Sequence, residues 1–163
     1  TVIVTGVNAD PGSGAIRTSQ QAFAEANPDR VVLVESMGAR RYLSLMHHVD
    51  AVVGNSSSGL LEAPAIGVPT VDIGPRQQGR LRAPSVLHCG ESTEEIRAAL
   101  AQAVSPEHRA LSAQRHTPYG GAGVAKRIVD ILQGIEATTK TSALIDQNWA
   151  TNVTLAADRK SGG

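Results

Sequence analysis

The stretch Gly54–Arg80, GNSSSGLLEAPAIGVPTVDIGPRQQGR, decides how this chain is read. It follows an apolar run, Asp50-Ala51-Val52-Val53, that reads as a strand ending at Gly54. Three serines and a glycine then open a helical segment, and a second strand, Val68 to Ile73, ends in a loop carrying Arg76 and Arg80. Strand, small polar turn, helix start, strand and basic loop form the arrangement by which α/β proteins hold phosphate-bearing ligands.

Working outward, short strands alternate with helical segments. Strands are expected at Val2–Thr5, Val31–Val34, Ala51–Val53 and Thr70–Ile73, with a short fifth at Ser85–His88. Helices are expected at Ala15–Ala26, Ala39–His48, Ser57–Ile66, Thr93–Val104 and Ala122–Ile135. Ser92 with Glu95 three residues on has capping-box spacing. The alternation predicts an α/β, Rossmann-like parallel sheet flanked by helices, joined by right-handed βαβ units. Ligands in such sheets bind at the carboxyl ends of the strands, so the loops 6–14, 35–38, 54–58 and 74–82 should open onto one edge. Residues 1–136 are read as the domain and 137–163, rich in threonine and ending Ser-Gly-Gly, as a weakly ordered tail. A domain opening directly on a strand of buried character is expected to be part of a longer chain.

The totals set bounds. The chain has 163 residues, 41% hydrophobic and 18% charged, enough for one domain with a real core. Aromatics are 2%, so Ala, Val, Leu and Ile must build that core. Zero formal net charge argues against a basic nucleic-acid surface and against a polybasic membrane patch. No run of about 18 apolar residues occurs, so no membrane span is expected. The single cysteine, Cys89, has no internal partner and is read as a small apolar core residue in a reducing, cytoplasmic setting.

Each candidate site residue has a plain structural alternative. Ser56, Ser57 and Ser58 stand where a helix start offers N–H groups and positive potential to a diphosphate, or where a serine simply caps the helix. Glu62 is a carboxylate for a ribose diol, or a favourable first-turn acid. Arg76 and Arg80 offer planar forks to phosphate, or form a solvated basic loop; Arg82 is expected to be solvated. Asn8 and Asp10, in the loop after the first strand, face the cleft or make Asx turns. Met37 follows the second strand, where a base could lie against its backbone, or marks a plain turn. Pro64 implies a short or kinked helix. His47 and His48 are expected as one surface and one core histidine. His88 and Cys89, being adjacent, lack metal-ligand spacing, and neither a metal nor a cofactor is expected. Gly12-Ser13-Gly14 is no dinucleotide fingerprint, and neither a GxSxG elbow nor a Walker A sequence occurs.

Gly54–Arg80 resembles the hydrolysing branch of the UDP-N-acetylglucosamine 2-epimerase family, whose pattern is GNSSSG–IEAP–GxPT–IG-RQ-GR. VNAD at 7–10, RYLSL at 41–45 and TPYGG at 117–121 also fit, with Val7 where proline is usual. The resemblance covers residues 1–135. It implies the second, UDP-binding domain of a two-domain GT-B fold, with UDP-sugar bound between the domains and a homodimer in the full-length protein. It further implies that Ser56 and Ser57 hold the diphosphate, Glu62 the ribose hydroxyls and Arg76 a phosphate, while Met37 backbone meets uracil and Asn8 faces the nucleotide-sugar. The acids that would eliminate UDP belong mainly to the family's first domain, so no catalytic base is named here. Two other readings stay open: a non-catalytic nucleotide-binding module or truncated remnant, and the nucleotide-binding half of a GT-B glycosyltransferase. The RQ-GR loop argues against the latter.

Overall fold

The computed structural model describes residues 1–7 and 12–135. The expected tail, 137–163, lies outside them. The chain divides into two compact units, Thr1–Gly121 and Ala122–Gly163.

The described residues of the first unit form five short strands: β1 (Val2–Thr5), β2 (Val31–Val34), β3 (Val52–Gly54), β4 (Thr70–Ile73) and β5 (Val86–Cys89). They alternate with α1 (Ser13–Ala26), α2 (Gly38–Met46), α3 (Ser58–Ile66) and α4 (Thr93–Ala103), and α5 (Pro106–Ser112) follows. Every strand pair is parallel, as the alternating pattern requires. The strands pair in two groups, however: β1 with β2, and β3–β4–β5 in that order. Among the described strands, β4 is therefore the one with a hydrogen-bonded neighbour on each side, and it is buried along nearly its whole length.

Side-chain alternation divides β4 between two helices. Val71 packs with Cys89, Ala99 and Ala103, so one face of the sheet meets α4. Thr70 faces α3, where Gly59 lies so close that an added Cβ would come within 2.8 Å of Thr70 Cγ2. Leu60 of α3, wholly buried, joins Ala83 and Val86. Met46 and Ala63 close a third cluster with Val68, tying α2 to α3.

Local chemistry sets the ends. Ser92 and Glu95 form the expected capping box at α4. α3 ends at Gly67 in the left-handed region, φ 93°, after a helix of nine residues that tolerates buried Pro64 inside it. α5 has Pro106 in its first turn and Ser105 accepting from His108 N–H at 3.2 Å. His108 is itself buried, with Nε2 3.2 Å from the Ser85 carbonyl. The expected histidine pair behaves otherwise: His47 and His48 are both exposed, because α2 ends at Met46, which takes the buried position.

The described part of the second unit contains α6 (Val124–Gln133). Ile128, Ile131 and Leu132 on it are exposed. Among the described residues no helix is long and apolar enough to cross a membrane.

Candidate functional site

Three of the described loops that leave the carboxyl ends of parallel strands carry residues expected at the site. After β3 come Asn55, Ser56 and Ser57, and α3 starts at Ser58. After β4 come Gly74 and a 3-10 turn, Pro75–Gln77. After β2 come Glu35, Ser36 and Met37, and α2 starts at Gly38.

The first two loops are bonded to each other. Gln77 is buried, and its Nε2 donates to the Asn55 carbonyl at 2.6 Å. Arg76 Nη1 reaches Asn55 Oδ1 at 3.5 Å. Asn55 is thus the hinge between the serine turn and the basic loop, a role that its place beside three serines conceals in the sequence. The far end of the basic loop is held as well, since Tyr119 Oη donates to the Leu81 carbonyl at 2.9 Å.

The serines divide in role. Ser57 is the N-cap of α3, yet its side chain makes no capping bond. Ser56 Oγ accepts from Ser58 N–H at 3.3 Å, and Ser58 Oγ donates to Tyr42 Oη at 3.1 Å. The Gly59 and Leu60 N–H groups already donate to the Ser56 and Ser57 carbonyls. What this turn offers an anion is therefore the Ser56 and Ser57 hydroxyls and the positive end of α3. Ser58 is engaged with α2 instead.

Glu62 is exposed and stands fifth in the nine-residue α3, beyond its first turn, which holds no acid. The first-turn alternative is thereby corrected: counted from Ser58, Glu62 lies more than one turn into the helix and does not serve its N-terminus. Arg80 is exposed, and its N–H donates to Gln77 O at 3.3 Å. Met37 is half-buried as the N-cap of α2, without a side-chain cap bond. Asn8 and Asp10 lie outside the described residues.

Arg82 departs from its expected solvated state. It is partly buried, and its Nε and Nη2 donate to Asp72 Oδ2 at 3.2 and 3.1 Å. Asp72 is fully buried on β4, and its register partner His88 on β5 places Nδ1 3.1 Å from the same oxygen. A charged residue between Val71 and Ile73, in a strand otherwise suited to burial, is the signal for this cluster, since such a carboxylate needs partners. Cys89 is buried as expected. Its thiol pKa is raised, first by burial and then by the nearby Glu95 and Asp72 carboxylates. No group of three or more metal-ligating side chains occurs among the described residues.

The sequence pattern of the family described as UDP-N-acetylglucosamine 2-epimerase matches residues 1–133. The chain belongs to the UDP-N-acetylglucosamine 2-epimerase family. Among curated relatives, a GDP/UDP-N,N'-diacetylbacillosamine 2-epimerase (hydrolyzing) of Campylobacter jejuni is 38% identical over 86 residues, 53% of this chain and 22% of that protein. A UDP-N-acetylglucosamine 2-epimerase of Neisseria meningitidis is 36% identical over 98 residues, 60% of this chain and 25% of that protein. A UDP-N,N'-diacetylbacillosamine 2-epimerase (hydrolyzing) of Legionella pneumophila is 27% identical over 128 residues, 78% of this chain and 32% of that protein. The chain spans about a fifth to a third of the length of these epimerases.

Proposed function

We propose that this chain is the UDP-binding second domain of a hydrolysing UDP-N-acetylglucosamine 2-epimerase with a GT-B fold. The full enzyme would eliminate UDP and invert C2 of the sugar, giving N-acetylmannosamine or a related diacetamido sugar. The reading rests chiefly on the linked serine turn and basic loop, in which Gln77 joins the ends of β3 and β4 through Asn55. In this arrangement Ser56 and Ser57 take the diphosphate, Arg76 a phosphate oxygen and Glu62 the ribose hydroxyls. Met37 backbone is assigned to uracil and Asn8 to the nucleotide-sugar, with Asp10, Ser58 and Arg80 as further candidates. The names of the relatives favour the hydrolysing branch, because two carry that word. The acids that drive elimination are assigned to the first domain of the enzyme, so this chain binds UDP and does not turn the sugar over.

Calorimetric titration with UDP tests the site. Arg76→Ala and Glu62→Ala should each weaken binding by about 1–3 kcal/mol, the range for loss of a charge-assisted hydrogen bond. Unchanged affinity in both variants would sink the assignment. Release of UDP from UDP-N-acetylglucosamine by the purified chain would show that catalysis does not need the first domain.

A further inference from the structure

The amino-terminal edge of the sheet carries a cavity of its own, opposite the serine turn and the basic loop. Its volume is about 250 Å³, and it lies where Asp50 leads into β3 and Val68 and Pro69 lead into β4. Three of its lining side chains carry N–H donors: His47 just after α2, Arg109 on α5 and Arg115 beyond α5. Only folding brings these three positions together.

The two arginines are held differently. Arg109 Nη2 donates to Asp50 Oδ1 at 2.5 Å, which fixes the direction of Arg109 and engages the carboxylate that lines the cavity. Among the described residues, the Arg115 guanidinium makes neither a hydrogen bond nor an ion pair, while its backbone N–H donates to Ser112 O at 3.0 Å. Two guanidinium charges against one carboxylate leave the lining net positive. His47 adds to the donors, since an imidazole ring offers an N–H whether neutral or charged.

The backbone at Arg115 is unusual. Glycines aside, it is the one described residue with a positive φ, 56°. That left-handed region disfavours a residue with a Cβ, and glycine is the common choice there after a helix. The side chain is packed nonetheless: a Cβ added at Gly67 would come within 3.1 Å of Arg115 Cγ and 3.4 Å of its Nε. The absent side chain at Gly67 thus makes room for the stem of Arg115. A long charged side chain kept at a position that favours glycine, and laid along a cavity wall, points to a use for its charge. A simpler account is that cations offset helix C-termini, because α2, α3 and α5 all end beside this cavity. Yet the carbonyls of Leu45, Ala63, Pro64, Leu111 and Ser112 in those last turns already accept backbone N–H groups. The Arg115 fork is therefore available to a ligand.

A guanidinium fork matches the paired oxygens of phosphate and carboxylate groups. The volume falls below the range of about 300–1,000 Å³ typical of pockets for drug-sized ligands, so the ligand is small. We propose that this cavity binds a small oxyanion, a phosphate or carboxylate group, with Arg115 and His47 as contacts and Arg109, oriented by Asp50, completing the donor set. The site is separate from the proposed UDP site, which stands at the carboxyl edge of the sheet.

NMR of the full 163-residue chain tests this by titration with inorganic phosphate at constant ionic strength. The Nε–H signals of Arg115 and Arg109 and the Gly67 amide should shift and saturate in the millimolar range, as expected of an exposed site screened by salt. Acetate titrated in the same way separates the sources: saturation by phosphate alone restricts the site to phosphates, and saturation by acetate shows that it takes carboxylates. Arg115→Gly removes the fork and relieves the backbone. It should weaken phosphate binding about tenfold or more and leave the melting temperature without phosphate unchanged or higher. Arg115→Lys keeps the charge without the fork and should weaken binding by a smaller factor. Undiminished affinity in Arg115→Gly overturns the proposal, as do shifts that never saturate. Saturating UDP should leave the Gly67 response to phosphate intact. Loss of that response would put the phosphate in the UDP site and overturn the cavity, whereas an intact response in a chain that fails to bind UDP would remove the UDP assignment alone.

Discussion

The β1–β2 pair and the β3–β4–β5 group are built from similar residues and reach different degrees of burial. Val-Ile-Val-Thr in β1 and Val-Val-Leu-Val in β2 are at least as apolar as Thr-Val-Asp-Ile in β4. Yet Ile3 and Leu33 are each 37% exposed, while Val71 and even Asp72 are wholly buried. The difference is one of neighbours. β4 has a strand on each side and a helix on each face; among the described residues β1 and β2 have only each other as strand partners, with α1 packed against β2. Burial comes from layers, and a parallel pair alone cannot supply them. The candidate phosphate site stands on the group that has its layers. Met37, the proposed uracil contact, stands on the loop that leaves β2.

The comparison is broken most directly by equal truncations. Leu60→Ala removes a wholly buried side chain between α3 and β5 and should cost about 2–5 kcal/mol, as in other core positions. Leu33→Ala in β2 removes a side chain already a third exposed and should cost about 1 kcal/mol. Urea unfolding measures both. Equal costs would mean that β2 is buried in solution to the same degree as α3.

The same contrast governs how much was legible in the sequence. Val2–Thr5, Val31–Val34 and Thr70–Ile73 coincide with the expected strands, because apolar runs bounded by turn residues carry their own signal. α4 is legible from its capping box, and Ser56 and Ser57 from their place at a strand-to-helix turn. Partnerships across loops are not legible. Arg82 is ten residues from Asp72, and only the register of β4 with β5 brings His88 to the same carboxylate. Asn55 and Gln77 are likewise joined by folding, 22 residues apart. The short α5 and the turn at Pro75–Gln77 were not expected either, since one or two turns of helix are too few for a periodic pattern.

Two glycines sharpen the comparison at smaller scale, with opposite signs. Gly59 in α3 has no room: a Cβ would sit 2.8 Å from Thr70 Cγ2, in the packed group. Gly59→Ala should destabilise by about 1–3 kcal/mol as helix and strand are pushed apart. Gly14 in α1 has nothing within 4 Å of its would-be Cβ and an ordinary helical place. Gly14→Ala should stabilise by about 0.5–1 kcal/mol through the unfolded chain and helix propensity. Thermal unfolding of the two variants should therefore bracket the parent; a loss in both would show that α1 is more tightly packed than its exposure indicates.

The smallest effect concerns how the helices of the two regions begin. α1 starts after Gly12 with no side-chain cap and no acid in its first turn. α4 starts with Ser92 Oγ accepting from Glu95 N–H at 3.3 Å, while Glu95 Oε2 takes the Ser92 hydroxyl at 2.6 Å. That hydroxyl bond, with the Ser92 N–H, holds the Glu95 carboxyl pKa below its ordinary value of 4.5. A depressed carboxylate stabilises the fold above the unfolded-state pKa, and this contribution is lost as pH falls through the lower, folded-state value. Ser92→Ala should cost about 1 kcal/mol near neutrality, as for other N-caps. Glu95→Gln should lower the melting temperature slightly near neutrality, and the gap to the parent should narrow below about pH 4.5. A gap that stays constant from pH 6 to pH 3 would show that the carboxylate's charge adds nothing to the cap, leaving α4 no more pH-sensitive at its start than α1.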